Sequence, residues 1–232
     1  MDQLKRPLIN FGEKSRMKIA KGSKPWILST SASGLIFLIL TLIFNWSTLG
    51  IIFLFFTIIV FLKTGFLFIF FRDPERNIGK DIVASADGRI REVSDFKDKE
   101  VGNCKRISTF MNLYDVHVNR MPLDGTIKNI VHVSGIHLPA FKKESEKNER
   151  VIITIDTTIG TVKIVQIAGT LARRIVPYIK KEDKLKKGER IGIIKFGSRV
   201  DVYLPAKKIQ KISVKVGDMV KAGETTLAEI NA

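Results

Sequence analysis

The sequence predicts a mainly β protein, a sandwich- or barrel-like cytoplasmic β-domain preceded by an N-terminal helical hairpin that is transmembrane or re-entrant. Three observations predict it. Two long apolar runs occupy the first third of the 232 residues. From Asp81 onward, short β-branched runs alternate with Gly, Asp and Lys turns, the pattern of an all-β sandwich or barrel. Helical signal is thin in that second region, where AFKKESEKNER at 140–150 is the best candidate and reads equally well as a loop.

Residues 1–25 form a basic segment with seven Lys and Arg against Asp2 and Glu13. Residues 26–71 form the hydrophobic hairpin. Its first run, ILSTSASGLIFLILTLIF at 27–44, holds no charge and is long enough to span a hydrocarbon core. A break at Asn45–Thr48 leads into a second run at 49–71, whose one charge, Lys63, is near enough to the end to reach the headgroups. A pair of buried helices in a soluble protein is the competing reading. The first run lies too far from Met1, and is too long, for the core of a signal peptide. Basic residues flank the hairpin and its turn has none, so both flanks are expected on the cytoplasmic face of the cell membrane.

Residues 72–232 form the β-domain, large enough to bury a core of its own. It opens on FFRDPER at 70–76, where Pro74 stops the helix among compensated charges. The formal net charge of +16 calls for an anionic partner, nucleic acid or membrane. The hairpin selects an anionic phospholipid membrane. The aromatic-basic platform that a nucleic-acid binder needs is missing, so no nucleic-acid partner is expected. Cys104 is the one cysteine and reads as a packing residue, while three irregularly spaced histidines point to no metal.

Several stretches carry side chains capable of chemistry. Asp87, in SADGRI, reads as an Asp-Gly turn. In FMNLYDVHVNRMPLDG, residues 115, 117 and 119 share one face of an extended chain and Arg120 takes the other; His117 is a satisfied core residue or a catalyst. Arg173 and Arg174 suit phosphate recognition, an anionic headgroup rim or a solvated face. In KFGSRVDVYLP at 195–205, Gly197-Ser198 interrupts a strand-like alternation, which periodicity alone reads as a bulge. Finally, KGERIGIIK at 187–195 and AGETTLAEI at 222–230 share a Gly-Glu turn feeding a strand. The second copy has the hammerhead pattern of lipoyl- and biotinyl-carrier proteins but lacks a lysine at a tight hairpin tip. Common turn chemistry is the preferred account of the echo. The carrier pattern leaves one alternative from another functional class, a non-catalytic membrane-anchored adaptor.

Taken together, FFRDPER, SADGRI, FMNLYDVHVNRMPLDG, the NER at 148–150, QIAGTLARRIV and GERIGIIKFGSRVDVYLP resemble, in order, the short form of the phosphatidylserine decarboxylase family. The resemblance implies a proenzyme that cuts itself between Gly197 and Ser198, leaving a β chain of 1–197 and an α chain of 198–232 that stay associated. Its cofactor would be a pyruvoyl group formed from Ser198, which takes the amine of a serine phospholipid, ester- or ether-linked, as a Schiff base and releases carbon dioxide. It further implies an Asp87–His117–Ser198 arrangement, with Arg120, Arg173 and Arg174 as candidates for the substrate's phosphate or carboxylate. Longer members carry Gly-Ser-Thr at the cleavage point, where Arg199 follows Ser198 here. They also place a second histidine where this chain has Arg120, so either His117 serves both steps or His132 or His137 assists.

Overall fold

A computed structural model describes residues 18–136, 138, 145, 147–169, 174–195 and 198–231. The basic segment up to residue 17, His137, Arg173, Gly197 and most of the 140–150 helix candidate lie outside that range. The chain runs through β1 (Lys18–Ile19), α1 (Lys24–Phe44), α2 (Thr48–Phe70), β2 (Arg72–Asp73), β3 (Ile82–Val83), β4 (Gly88–Asp98), β5 (Gly102–Met111), β6 (Val118–Arg120), β7 (Gly125–Val133) and β8 (Arg150–Thr157). It continues through β9 (Gly160–Ala168), β10 (Ile175–Pro177), β11 (Lys184–Leu185), β12 (Arg190–Ile194), β13 (Ser198–Pro205), β14 (Ile209–Ile212), β15 (Met219–Val220) and β16 (Thr226–Ile230).

The two apolar runs are α1 and α2, each long and apolar enough to cross a membrane. Pro25 occupies the first turn of α1, where its missing N–H costs nothing. The turn between them needs Gly50, because a Cβ there would collide with the Asn45 carbonyl, and the Ser47 hydroxyl caps α2 by accepting from the Gly50 N–H at 3.2 Å. Phe37 packs on Phe53 and Phe56 across the hairpin, while most of the remaining apolar surface points outward.

The remainder is a curled half-barrel, as the strand-rich sequence predicts. An eight-stranded antiparallel sheet, ordered β11-β7-β8-β9-β13-β5-β4-β15, shares one apolar core with two three-stranded sheets, β10-β12-β6 and β14-β16-β3. Strand β13 is central, paired with β5 from Ser198↔Met111 to Pro205↔Cys104 and with β9 from Ser198↔Ala168 to Tyr203↔Lys163. Its alternation would leave Arg199, Asp201 and Tyr203 on an open face, yet both faces are buried. Arg199 and Asp201 pair bidentately at 2.9 and 2.7 Å, and Tyr203 packs with Cys104, Val165 and Ile167 in a satellite cluster. An inward charge is tolerated only when paired in this way.

The Gly-Glu echo extends much further than the turn. EDKLKKGE at 182–189 matches GDMVKAGE at 217–224, and each pairs with an Asp-Gly turn, LDG at 123–125 and ADG at 86–88. Most of their hydrogen bonds correspond. Ile127 N–H donates to the Asp183 carbonyl and Ile90 N–H to the Asp218 carbonyl, both at 2.9 Å. Lys187 N–H donates to Asp124 Oδ1 at 2.7 Å and Ala222 N–H to Asp87 Oδ1 at 2.8 Å. Gly188 (φ 81°) and Gly223 (φ 76°) take the left-handed conformation that glycine adopts without strain. Crossed bonds from Val83 N–H to the Pro122 carbonyl and from Arg120 N–H to the Ser85 carbonyl, both 2.9 Å, join the halves about a local two-fold. The structure thus holds two copies of one device, β3-β4-β15-β16 and β6-β7-β11-β12.

The segment after α2 is fastened to both copies. Asp73 accepts from Arg120 Nη2 at 2.9 Å and from Arg190 Nε, on the second copy. Arg76 donates to Asp87 Oδ2 at 2.6 Å and to Glu224 at 3.2 Å, on the first. These clamps fix the base of the hairpin against the β-structure.

Candidate active site

His117 is fully buried and immediately precedes β6. Its carbonyl accepts from Ile194 N–H at 3.3 Å, tying it to the last residue of β12. Ring stacking against Phe70, the last residue of α2, brings the centroids to 4.3 Å. Val116 and Val118 belong to the apolar cluster that includes Leu67, Phe70, Phe71 and Ile193. The histidine therefore sits directly beneath the end of the second apolar helix.

Nδ1 of His117 lies 2.9 Å from the Asp115 carbonyl, an acceptor only, so Nδ1 carries the proton and Nε2 keeps its lone pair. Among the described residues Nε2 is buried without a partner. Burial, with a smaller contribution from the Arg72 charge, pushes the pKa of the ring down to about 4 against the opposing Asp115 hydrogen bond. At neutral pH the group is an uncharged base with a free nitrogen.

Ser198 opens β13, fully buried, and its Oγ also has no partner among the described residues. Its row neighbours are Met111 on β5 and Ala168 on β9. Asn119, two residues after His117, donates to Met111 Sδ at 3.7 Å and accepts from Gln166 Nε2 at 2.7 Å, while Gln166 Oε1 is buried and unpartnered. Strand register and these contacts gather Ser198, Asn119, Gln166 and the His117 turn into one neighbourhood. Leaving a buried polar atom unpaired costs about 1–3 kcal/mol, and native proteins retain such atoms where function requires them. Three of them lying in this neighbourhood suit a nucleophile, the Ser198 hydroxyl, and two acceptors, His117 Nε2 and Gln166 Oε1, for a proton or an N–H to be held there.

Asp87 is buried and has other partners. Its Oδ1 closes the Ala222 turn, as Asp124 closes its counterpart, and its Oδ2 meets Arg76. Burial raises its pKa, opposed by Arg76 and the Ala222 amide. Among the described residues no hydrogen bond joins it to His117.

A sequence model of the family described as phosphatidylserine decarboxylase matches residues 64–228. The chain is 41% identical over 213 residues to a phosphatidylserine decarboxylase proenzyme of Streptomyces griseus, covering 91% of this chain and 93% of that one. A phosphatidylserine decarboxylase proenzyme of Thermobifida fusca is 43% identical over 212 residues, 90% and 92% of the two chains. A protein of Methanococcoides burtonii with the provisional name archaetidylserine decarboxylase proenzyme is 41% identical over 214 residues, 91% and 96% of the two chains. The chain belongs to the phosphatidylserine decarboxylase family. As a member of that family it is a decarboxylase.

Within this family member the three arginines suggested by the sequence part company. Arg120 is buried, its guanidinium taken by Asp73, the Pro74 carbonyl and the Gly188 carbonyl at 2.9–3.0 Å. Arg174 is exposed beside Lys195, whose N–H it accepts at 3.2 Å. Arg173 lies outside the described residues, as does His137. His132 pairs with Glu149 at 3.2 Å on an exposed part of β7. Sequence reasoning missed Gln166, although one amide in the apolar run VKIVQIA is a legible signal for a buried polar task. It also missed Phe70 and Lys195, which nothing in their local sequence marks.

Proposed function

We propose that the chain is a self-processing, membrane-anchored decarboxylase of serine phospholipid headgroups, cleaved between Gly197 and Ser198. The observation that carries the reading is the pair of buried, unpartnered atoms His117 Nε2 and Ser198 Oγ in one neighbourhood, matching a family of proenzymes. His117 takes the Ser198 proton, and the freed oxygen attacks the Gly197 carbonyl. The C–N bond breaks as the C–O bond forms, giving an ester. Loss of the Ser198 α-proton then expels the Gly197 carboxylate, closing the β chain at 1–197. The dehydroalanine left on the α chain, 198–232, hydrolyses with release of ammonia to a pyruvoyl group. Asp87 steadies the arrangement through Arg76 and the Ala222 turn, while the Asp115 carbonyl orients the ring.

The residues that would hold that group are His117, Asn119 and Gln166 of the same buried neighbourhood, where His117 Nε2 and Gln166 Oε1 suit the amine of a substrate bound there. The pyruvoyl carbonyl supplies an electrophile for the substrate amine and a sink for electrons as carbon dioxide leaves. His117, neutral with Nε2 free, accepts a proton and returns it at the α-carbon. The hairpin anchors the protein in an anionic membrane with the site at the cytoplasmic face, within reach of headgroups. Ester- and ether-linked lipids present the same headgroup and are equally acceptable.

A denaturing gel with intact-mass analysis tests this reading. The active protein should give two fragments parted after Gly197, the smaller lacking a free amino terminus, and Ser198→Ala should remain whole. One unbroken chain in an active preparation would sink the proposal.

A further inference from the structure

We propose that Lys195, with Arg174 beside it, binds the phosphodiester of the lipid headgroup and so positions the substrate over Ser198. This rests on the reading above that a serine phospholipid is the substrate. Lys195 lies three residues before Ser198, and its neighbour Ile194 bonds to the His117 carbonyl. Its ammonium sits 5.2 Å from the ring centre of Trp26, in the first turn of α1, and 5.9 Å from that of Phe71, which caps the end of α2. Phe71 in turn packs edge-on against Phe70, whose ring covers His117. A cation is thus held between the bases of both apolar helices, on the other side of one aromatic pair from His117.

That cation lacks an anion. Among the described residues neither Lys195 nor Arg174 has an acidic partner, and the two are neighbours of like charge. Partial burial and Arg174 together hold the Lys195 pKa below its ordinary value, a cost that a bound anion would reverse. Aromatic faces satisfy an ammonium only in part.

A serine phospholipid offers a carboxylate and a phosphodiester. Pairing a lysine with the carboxylate would stabilise the group that must depart and raise the barrier to its loss. The phosphodiester keeps its charge throughout and is joined to the glycerol, so it lies at the depth of Trp26 and Phe71. With the phosphate held there, the amine end points inward toward residue 198.

Calorimetric binding of dihexanoyl phosphatidylethanolamine to the full chain in detergent provides the test, because this lipid keeps the phosphodiester and has no carboxylate. Lys195→Gln should weaken binding about tenfold, Arg174→Gln about threefold, and Lys195→Arg should stay within about threefold of the parent. Melting temperatures of the variants should agree within about 2 °C. Equal binding by the parent and Lys195→Gln overturns the assignment, as does displacement of the lipid by millimolar inorganic phosphate, which would mark a site for the free anion. Should Lys195→Gln fail to fold, the Arg174→Gln and Lys195→Arg values decide. If the parent protein does not split at Ser198, the decarboxylation reading fails by itself, and the binding ratio still judges the lysine.

Discussion

The two copies of the turn device share a backbone and differ in what lies over them. In the β6-β12 copy, the residue leading into the first strand is His117, buried under Phe70. The crossed hydrogen bonds place Lys80 at the matching position of the β3-β16 copy, where it is exposed. The asymmetry reverses at the turns: Asp124 is exposed, whereas Asp87 is buried and ion-paired to Arg76. Hydrogen bonding is nearly identical in the two copies, so the repeat itself does not create the site. The apolar helical hairpin and its linker do, by covering one strand end of one copy and one turn of the other.

The largest effect that tests this contrast is expected at the cover. Phe70→Ala should cost about 3–5 kcal/mol and let the His117 pKa climb toward its ordinary value, readable by NMR titration. Lys80→Ala, at the position that matches the covered His117 and has no cover of its own, should change stability by no more than about 0.5 kcal/mol. Similar losses at both positions would break the comparison. Next comes the turn pair. Asp87→Ala leaves Glu224 as the one remaining carboxylate on the Arg76 guanidinium and should cost about 1–3 kcal/mol, and Asp87→Asn should slow splitting on the order of 10²-fold.

Acidity provides the next test. His117 titrates near pH 4, so the splitting rate should stay level from pH 8 to below 6 and halve near pH 4, where an ordinary histidine would halve near 6.5. The unfolded chain binds the His117 proton below about 6.5 and the folded chain only near 4. Stability from this group therefore falls as pH drops through that window. Asp87 acts in the opposite sense: its folded pKa is raised, so its contribution declines as pH rises from the ordinary carboxylate value. A splitting profile centred at 6.5 would place His117 in water. A smaller change than at Asp87 is expected for Asp124→Ala, about 1 kcal/mol for one turn hydrogen bond, with splitting unchanged.

Legibility in the sequence follows the range of the forces. The hairpin reads directly, because apolar runs such as 27–44, without a charge, and 49–71, with Lys63 alone, have few other homes, and the helices span Lys24–Phe44 and Thr48–Phe70. RVIITIDTTIGTVKIVQIAG also reads directly, as the β8–β9 hairpin turning at residues 158–159. What pairs with what does not, since β3 meets β16 and β6 meets β12 across long stretches of chain. Arg199 and Asp201 resemble a solvent face until their mutual ion pair is seen. Of the site, Ser198 and His117 come from motifs in order. The aromatic lid and the separate partners of Asp87 come from tertiary contacts that no local pattern encodes.

Strand β13 begins at the proposed scissile bond and lies between β5 and β9. Before the cut, folding is a unimolecular event in which 198–205 is threaded into the sheet by its own chain. After the proposed cut the same strand would belong to a separate polypeptide of 198–232, held by two ladders and a buried core with no covalent link. Unfolding then releases two molecules, and recovery becomes second order in protein concentration. The mature enzyme would therefore be assembled once, as a precursor, and its working lifetime set by how slowly it comes apart.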